Sequence, residues 1–208
     1  FISEKCSRII ILAGKGNNAG DGFVVSRHLL NFKMNQELYA PINVFICYPS
    51  DSLQGDALIN YKIIGELFKS DYYEITSDVE RLNDLLDNEN EKILFVDAVF
   101  GIGFKGELDE HVRKIFSDIT QYSESKFVIA LDTPSGIDSY LKTNGCLKAD
   151  VTISMGVRKI NTLFYEGRNV SGELKLVDIG LPYGKFDEFN VKNIYQFEQE
   201  DTCFEEAI

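Results

Sequence analysis

The chain is poor in the residues that build zinc sites, catalytic triads and disulfide frameworks. Only two histidines occur, His28 and His111. Each falls inside a helical pattern, where a surface or packing role is expected. No serine sits in a Gly-x-Ser-x-Gly elbow, so a Ser-His-Asp triad has no support. The four cysteines, Cys6, Cys47, Cys146 and Cys203, are far apart and form no Cys-x-x-Cys pair, which argues against zinc. A chain of 208 residues buries roughly 70% of its unfolded surface and needs no disulfide staples. The thiols are therefore read as reduced, mostly buried, and in a reducing compartment. No apolar run reaches the ~20 residues of a membrane-spanning helix, and no signal peptide is visible. A cytoplasmic protein without a membrane partner is expected. The chain begins at Phe1 rather than Met, so a mitochondrial form fits if a leader was removed. Basic charge is scarce as well: 21 Lys and Arg stand against 33 Asp and Glu, a net −12. Such a surface repels phosphate backbones, so nucleic acid is not an expected partner. A small anion is still admissible, because backbone amides hold phosphate inside acidic proteins.

What remains is ordinary globular composition, 44% hydrophobic and 26% charged. One domain over residues 1–208 is expected, with an aperiodic acidic tail over about 196–208. Strand-length apolar runs alternate with helix-period segments. Ile9–Leu12, Val44–Tyr48, Ile93–Val96, Phe127–Leu131, Val151–Ser154 and Leu174–Val177 read as strands. Helical stripes follow over about Asp21–Asn31, from Asp56 onward through Ala57, Leu58, Tyr61, Ile64 and Leu67, then at Val79, Leu82, Leu85 and Leu86, and at Val112, Ile115, Phe116 and Ile119. Ser77 and Glu80 have capping-box spacing. Unbroken apolar strands are buried on both faces. The fold class is therefore α/β, a Rossmann-like, doubly wound and mostly parallel sheet with helices on both faces.

The polar residues that stand out lie directly after strands. The first strand is followed by Gly14-Lys15-Gly16-Asn17-Asn18-Ala19-Gly20-Asp21-Gly22. The third is followed by Asp97 and then by Gly101 to Glu107, and the fourth by Asp132-Thr133-Pro134-Ser135-Gly136-Ile137-Asp138. In a parallel sheet all these ends open on one edge, where ligands bind. The first loop is one residue too long for Gly-x-Gly-x-x-Gly and is not a Walker loop. It reads either as a tight turn with Asp21 near a helix start or as a phosphate cradle. Asn17 and Asn18 exceed what a turn requires. Asp97 caps a turn, ligates a cation or acts as a base; Lys105 is a solvated loop lysine or the partner of a phosphate or of Asp97. Asp132 repeats the Asp97 pattern, and Ser135 adds a hydroxyl. Asn, Asp and Ser are hard oxygen donors, suited to a group I or II cation. Acid–base work falls to Asp.

Taken together, GKGNNAGDG (14–22), VDAVFGIGFKGE (96–107) and LDTPSGID (131–138) resemble the NAD(P)HX epimerase family, the YjeF N-terminal domain. Ala149-Asp150-Val151-Thr152, Arg158-Lys159, and Gly172-Glu173-Leu174 through Asp178-Ile179-Gly180-Leu181-Pro182 are similar to that family's closing segments. The resemblance runs from about Arg8 to Pro182. It implies a Rossmann-like enzyme that interconverts the R and S forms of NAD(P)HX, NADH or NADPH hydrated at C6 of the ring. A separate dehydratase, the implied functional partner, then acts on the S form. The implied substrate contacts are Asn17, Asn18, Ala19, Gly20 and Asp21; Gly101, Ile102, Gly103, Phe104, Lys105, Gly106 and Glu107; and Asp132, which is also the implied catalytic acid–base group. The implied K+ ligands are Asn18, Asp97 and Ser135, one ion per subunit, and a homodimer is expected. The family's usual helices before the first strand are not found here, and Ala19 stands where Gly is common. The alternative within the same fold is a non-catalytic scaffold or protein-binding domain.

Overall fold

The computed structural model describes residues 6–68, 70–87, 91–122, 126–138, 142–143 and 145–181. The acidic tail, Cys203 and Pro182 lie outside the described residues. Seven strands form one sheet: β1 (Arg8–Ala13), β2 (Ile42–Ile46), β3 (Tyr73–Thr76), β4 (Ile93–Ala98), β5 (Lys126–Leu131), β6 (Val151–Met155) and β7 (Glu173–Val177). Their order is β3-β2-β1-β4-β5-β6-β7, and every pairing is parallel. The helices are α1 (Asn17–Met34), α2 (Gly55–Leu67), α3 (Val79–Leu86), α4 (Glu110–Gln121), α5 (Ile160–Leu163) and α6 (Tyr165–Ser171).

The unbroken apolar strands are buried on both faces because side chains alternate across the sheet. Ile9, Ile11 and Ala13 join one core with Ala19, Phe23 and Leu30 of α1 and Ala57 and Ile64 of α2. Ile10 and Leu12 face the other core, with Leu82 and Leu85 of α3 and Val112, Ile115, Phe116 and Ile119 of α4. Each fully buried Leu, Ile or Phe stabilises by about 1.5–3 kcal/mol, so the helices are held by packing more than by propensity. Gly22 lets α1 lie flat on the sheet: a Cβ there would stand 2.6 Å from Ala98 Cβ.

Three local readings need correction. Helix α1 begins at Asn17, not near Asp21, with Gly16 as its N-cap and no acidic residue in its first turn. Asp21 is thus not a dipole-complementing start residue. Helix α3 is capped by Asp78 rather than Ser77; the Asp78 side chain accepts from the Glu80 amide. A seventh strand, β3, pairs with β2 at the sheet edge. His28 and His111 are exposed on helices, as expected. Cys47 is buried, while Cys6 and Cys146 are half-buried. Among the described residues no helix is long and apolar enough to cross a membrane.

Candidate active site

Strand β1 pairs with β2 on one side and β4 on the other, so the order reverses between β1 and β4. This is the switch point where open parallel sheets bind ligands. Gly14 makes the approach of the two strand ends possible, since a Cβ at that position would collide with the backbone carbonyl of Val99. Four loops open there, after β1, β4, β5 and β6.

The first loop turns directly into α1. Asn17 is exposed, whereas Asn18, Ala19 and Gly20 are buried, and Asp21 is half-buried. Asn18 is 7% exposed, yet neither its amide nitrogen nor its oxygen has a hydrogen-bond partner. An amide buried in this way is destabilising unless something binds it. The second loop brings Gly101 against it. A Cβ on Gly101 would lie 3.1 Å from Asp132 Oδ2 and 3.5 Å from Asn18 Oδ1, so both side chains flank one glycine.

Asp97, at the end of β4, is fully buried. Its Oδ1 accepts from the Val99 amide at 3.2 Å and the Ser135 hydroxyl at 2.5 Å; its Oδ2 accepts from the Ser135 amide at 2.8 Å. The Ser135 hydroxyl oxygen in turn accepts from the Phe100 amide at 2.8 Å. Burial pushes the Asp97 carboxyl up to about 6, against the lowering effect of the Ser135 and Val99 hydrogen bonds. No cation pairs with Asp97 among the described residues. Lys105 is exposed in its loop and is not that partner.

Asp132 follows β5 with φ at +66°, an uncommon conformation for a residue other than glycine. It is buried, and its Oδ2 accepts from the Ile102 amide at 3.1 Å. Its Oδ1 lies 2.7 Å from the Lys159 ammonium, which comes from the loop after β6. That lysine carried no assigned role in the sequence reading. Burial, followed by the nearby charges of Asp132 and Asp56, raises the Asp21 carboxyl above its ordinary range. The next residue after Asp132, Thr133, also has a buried hydroxyl without a partner.

The rim is aromatic. Phe100 and Phe104 have ring centroids 4.6 Å apart, and Tyr48 meets Phe100 edge-on at 6.2 Å. The Lys15 ammonium sits 4.8 Å above the Tyr48 ring. Ile102 is 55% exposed on the same loop. Gly103, Gly106 and Glu107 lie further along it; Gly103 and Gly106 have open space where a Cβ would stand, and Glu107 is exposed. The structure thus brings Asn18 and Asp132 to either side of Gly101, and joins Asp97 and Ser135 to the same loop through the Phe100 amide, with Lys105 and Glu107 further along it.

These features make a candidate site at the switch point of a doubly wound α/β sheet, with one carboxylate paired to a lysine. Residues 2–160 match the family model described as YjeF-related protein N-terminus, and the chain belongs to that family. It is 33% identical over 186 residues to a NAD(P)H-hydrate epimerase of Elusimicrobium minutum, covering 88% of this chain and 78% of that protein. It is 32% identical over 178 residues to a bifunctional NAD(P)H-hydrate repair enzyme Nnr of Moorella thermoacetica, covering 84% of this chain but 32% of that protein. The crystal structure of the yeast protein YNL200c superposes with a TM-score of 0.66 at 19% identity, covering 91% of this chain and 74% of that one. That likeness supports the fold.

Proposed function

We propose that the protein is an isomerase that interconverts the R and S epimers of NAD(P)HX at C6, a repair step for damaged nicotinamide cofactor. The observation that carries this reading is the Asp132 carboxylate, held in the crevice between the Ile102 amide and Lys159, beside the unpartnered amide of Asn18. A scaffold domain has no use for an orphaned amide at its centre.

The chemistry requires little more. The C6 hydroxyl of the substrate sits beside the ring nitrogen, whose lone pair assists loss of hydroxide and leaves a planar iminium. Water adding from the opposite face inverts the centre. Asp132 enters this step as the carboxylic acid: it gives its proton to the leaving hydroxide and, now a carboxylate, takes one from the incoming water, so the group ends the cycle as it began. The amides of the first turn of α1, which no side chain caps, suit the substrate phosphates. The Phe100–Phe104 pair and Ile102 offer an apolar wall to a ring.

The donor set fits K+ as well. Asn18 supplies an orphaned buried oxygen, Asp97 a buried carboxylate with no cationic partner, and Ser135 a hydroxyl on that carboxylate. When bound, K+ would neutralise Asp97 and attract substrate phosphate. The bifunctional relatives are about three times as long as the segment they share with this chain, which supports a dehydratase as the functional partner. A homodimer is supported by the half-covered sheet face at β5–β7, where Phe127, Ile129, Val151, Ile153 and Met155 are all partly exposed; sedimentation should give twice the chain mass.

The test is chromatographic. A single purified epimer of NADHX, incubated with the protein in K+ buffer, should relax to the R/S mixture faster than in buffer alone. Replacing K+ by Li+ should slow the relaxation. Equal rates in both salts would remove the ion from the account, and no acceleration in either would remove the activity.

A further inference from the structure

We infer that Lys159 is the positioning residue of the reaction, fixing which oxygen of Asp132 meets the substrate; this rests on the epimerase reading above. The Lys159 side chain is 10% exposed. Its ammonium donates to the Met155 carbonyl at 2.7 Å and the Val157 carbonyl at 2.9 Å, and it lies 2.7 Å from Asp132 Oδ1. An ammonium has three N–H donors and no acceptor. All three are engaged, so none is left for the substrate, and the lysine acts through Asp132.

The two carboxylate oxygens therefore have separate tasks. Oδ1 is tied to Lys159. Oδ2 accepts from the Ile102 amide and lies on the side of Gly101 and Asn18, which makes it the oxygen that exchanges a proton with the hydroxyl on C6. The backbone of Asp132 needs such restraint, since φ at +66° is unfavourable for a non-glycine residue. Its amide donates to the Ile153 carbonyl at 2.8 Å, and its own carbonyl lies 3.4 Å from the Ser154 hydroxyl. Strand β6 thus fixes the main chain of Asp132, and the loop leaving β6 fixes its side chain.

The experiment compares wild type, Lys159→Met, Asp132→Asn and the double variant in the single-epimer assay, reading kcat and KM separately. Interactions that matter only in the reacting complex lower kcat and leave KM nearly unchanged. Lys159→Met should lose roughly tenfold or more in kcat with KM within about twofold. The double variant should be no slower than Asp132→Asn, because the lysine has nothing to position once the carboxylate is gone. Lys159→Gln keeps donors for the carbonyls and removes the charge, and it carries the same comparison if the Met variant does not fold. Wild-type kcat in either variant, or a double variant slowed by the product of the single losses, would overturn the proposal. So would failure of both variants to fold, which would make Lys159 a scaffold residue. An inactive wild type would instead overturn the epimerase reading itself.

Discussion

At the residue scale, the site combines features that work against stability. Among the described residues Asn18 keeps two buried polar atoms without partners and the fully buried Asp97 carboxylate has no cationic partner, and Asp132 adopts a left-handed backbone. A bound ligand would offset the first two. Asn18→Leu removes both orphaned atoms while keeping a similar volume. It should leave the melting temperature of the ligand-free protein unchanged or higher, since an unsatisfied buried polar group costs about 1–3 kcal/mol, and it should lower the epimerisation rate on the order of tenfold or more. A lower melting temperature with activity retained would mean that Asn18 is structural. Asp97 and Asp132 stood out because each directly follows an unbroken apolar run, and Asn18 because it is one of two adjacent amides in a glycine-rich loop. Lys159 was not legible in the same way. A single lysine after a half-buried strand looks like any solvated loop cation, and only the fold brings it to Asp132. Lys105, the more conspicuous lysine in a glycine-rich loop, is instead exposed.

At the element scale, the central strands could be read from their continuous apolar runs, whereas β3 could not. It is four residues long, Tyr73-Glu74-Ile75-Thr76, with every position half-buried, and a polar Glu interrupts it. Long-range polar contacts place it instead. Arg81 of α3 grips Glu74 with two donors at 2.6 and 2.9 Å. Glu74 also accepts from Asn43 of β2, and Asn43 accepts from Arg8 of β1. The Arg81 hydrogen bonds are the main reason the Glu74 carboxyl is held below its ordinary range, despite partial desolvation. A carboxyl with a lowered folded-state value adds stability above its unfolded value, and that stability disappears as pH falls through the folded value. Glu74→Gln should therefore lower the urea midpoint at neutral pH by the equivalent of at most about 1 kcal/mol at this exposure. The difference from wild type should vanish in acid, and a pH-independent difference would mean that packing, not charge, anchors the strand. The short helices α5 and α6 escaped the sequence reading for a related reason: four and seven residues hold too few turns to display a period.

At the scale of the whole molecule, the alternation of strands and helices announces a parallel sheet, and with it the convergence of the loops on one edge. It does not announce the strand order. The β1–β4 switch point comes from the crossover pattern, and the resemblance of three loops in sequence carries that information only indirectly. The sheet is also uneven: β1, β2 and β4 are buried on both faces, while β7 alternates between exposed and half-buried residues. The candidate site draws on both halves: Asp97 lies at the end of the well-covered β4, Asp132 follows the less covered β5, and Gly101 brings Asn18 beside Asp132. The central claim is that this arrangement exchanges a proton with the hydroxyl on C6 of hydrated nicotinamide through Asp132. The most direct test is the initial rate of R-to-S conversion of NADHX by wild type and by Asp132→Asn in the same K+ buffer, with the spontaneous rate subtracted. The account predicts clear conversion by wild type and a rate on the order of a hundredfold lower for the folded variant; a variant within a few fold of wild type would contradict it.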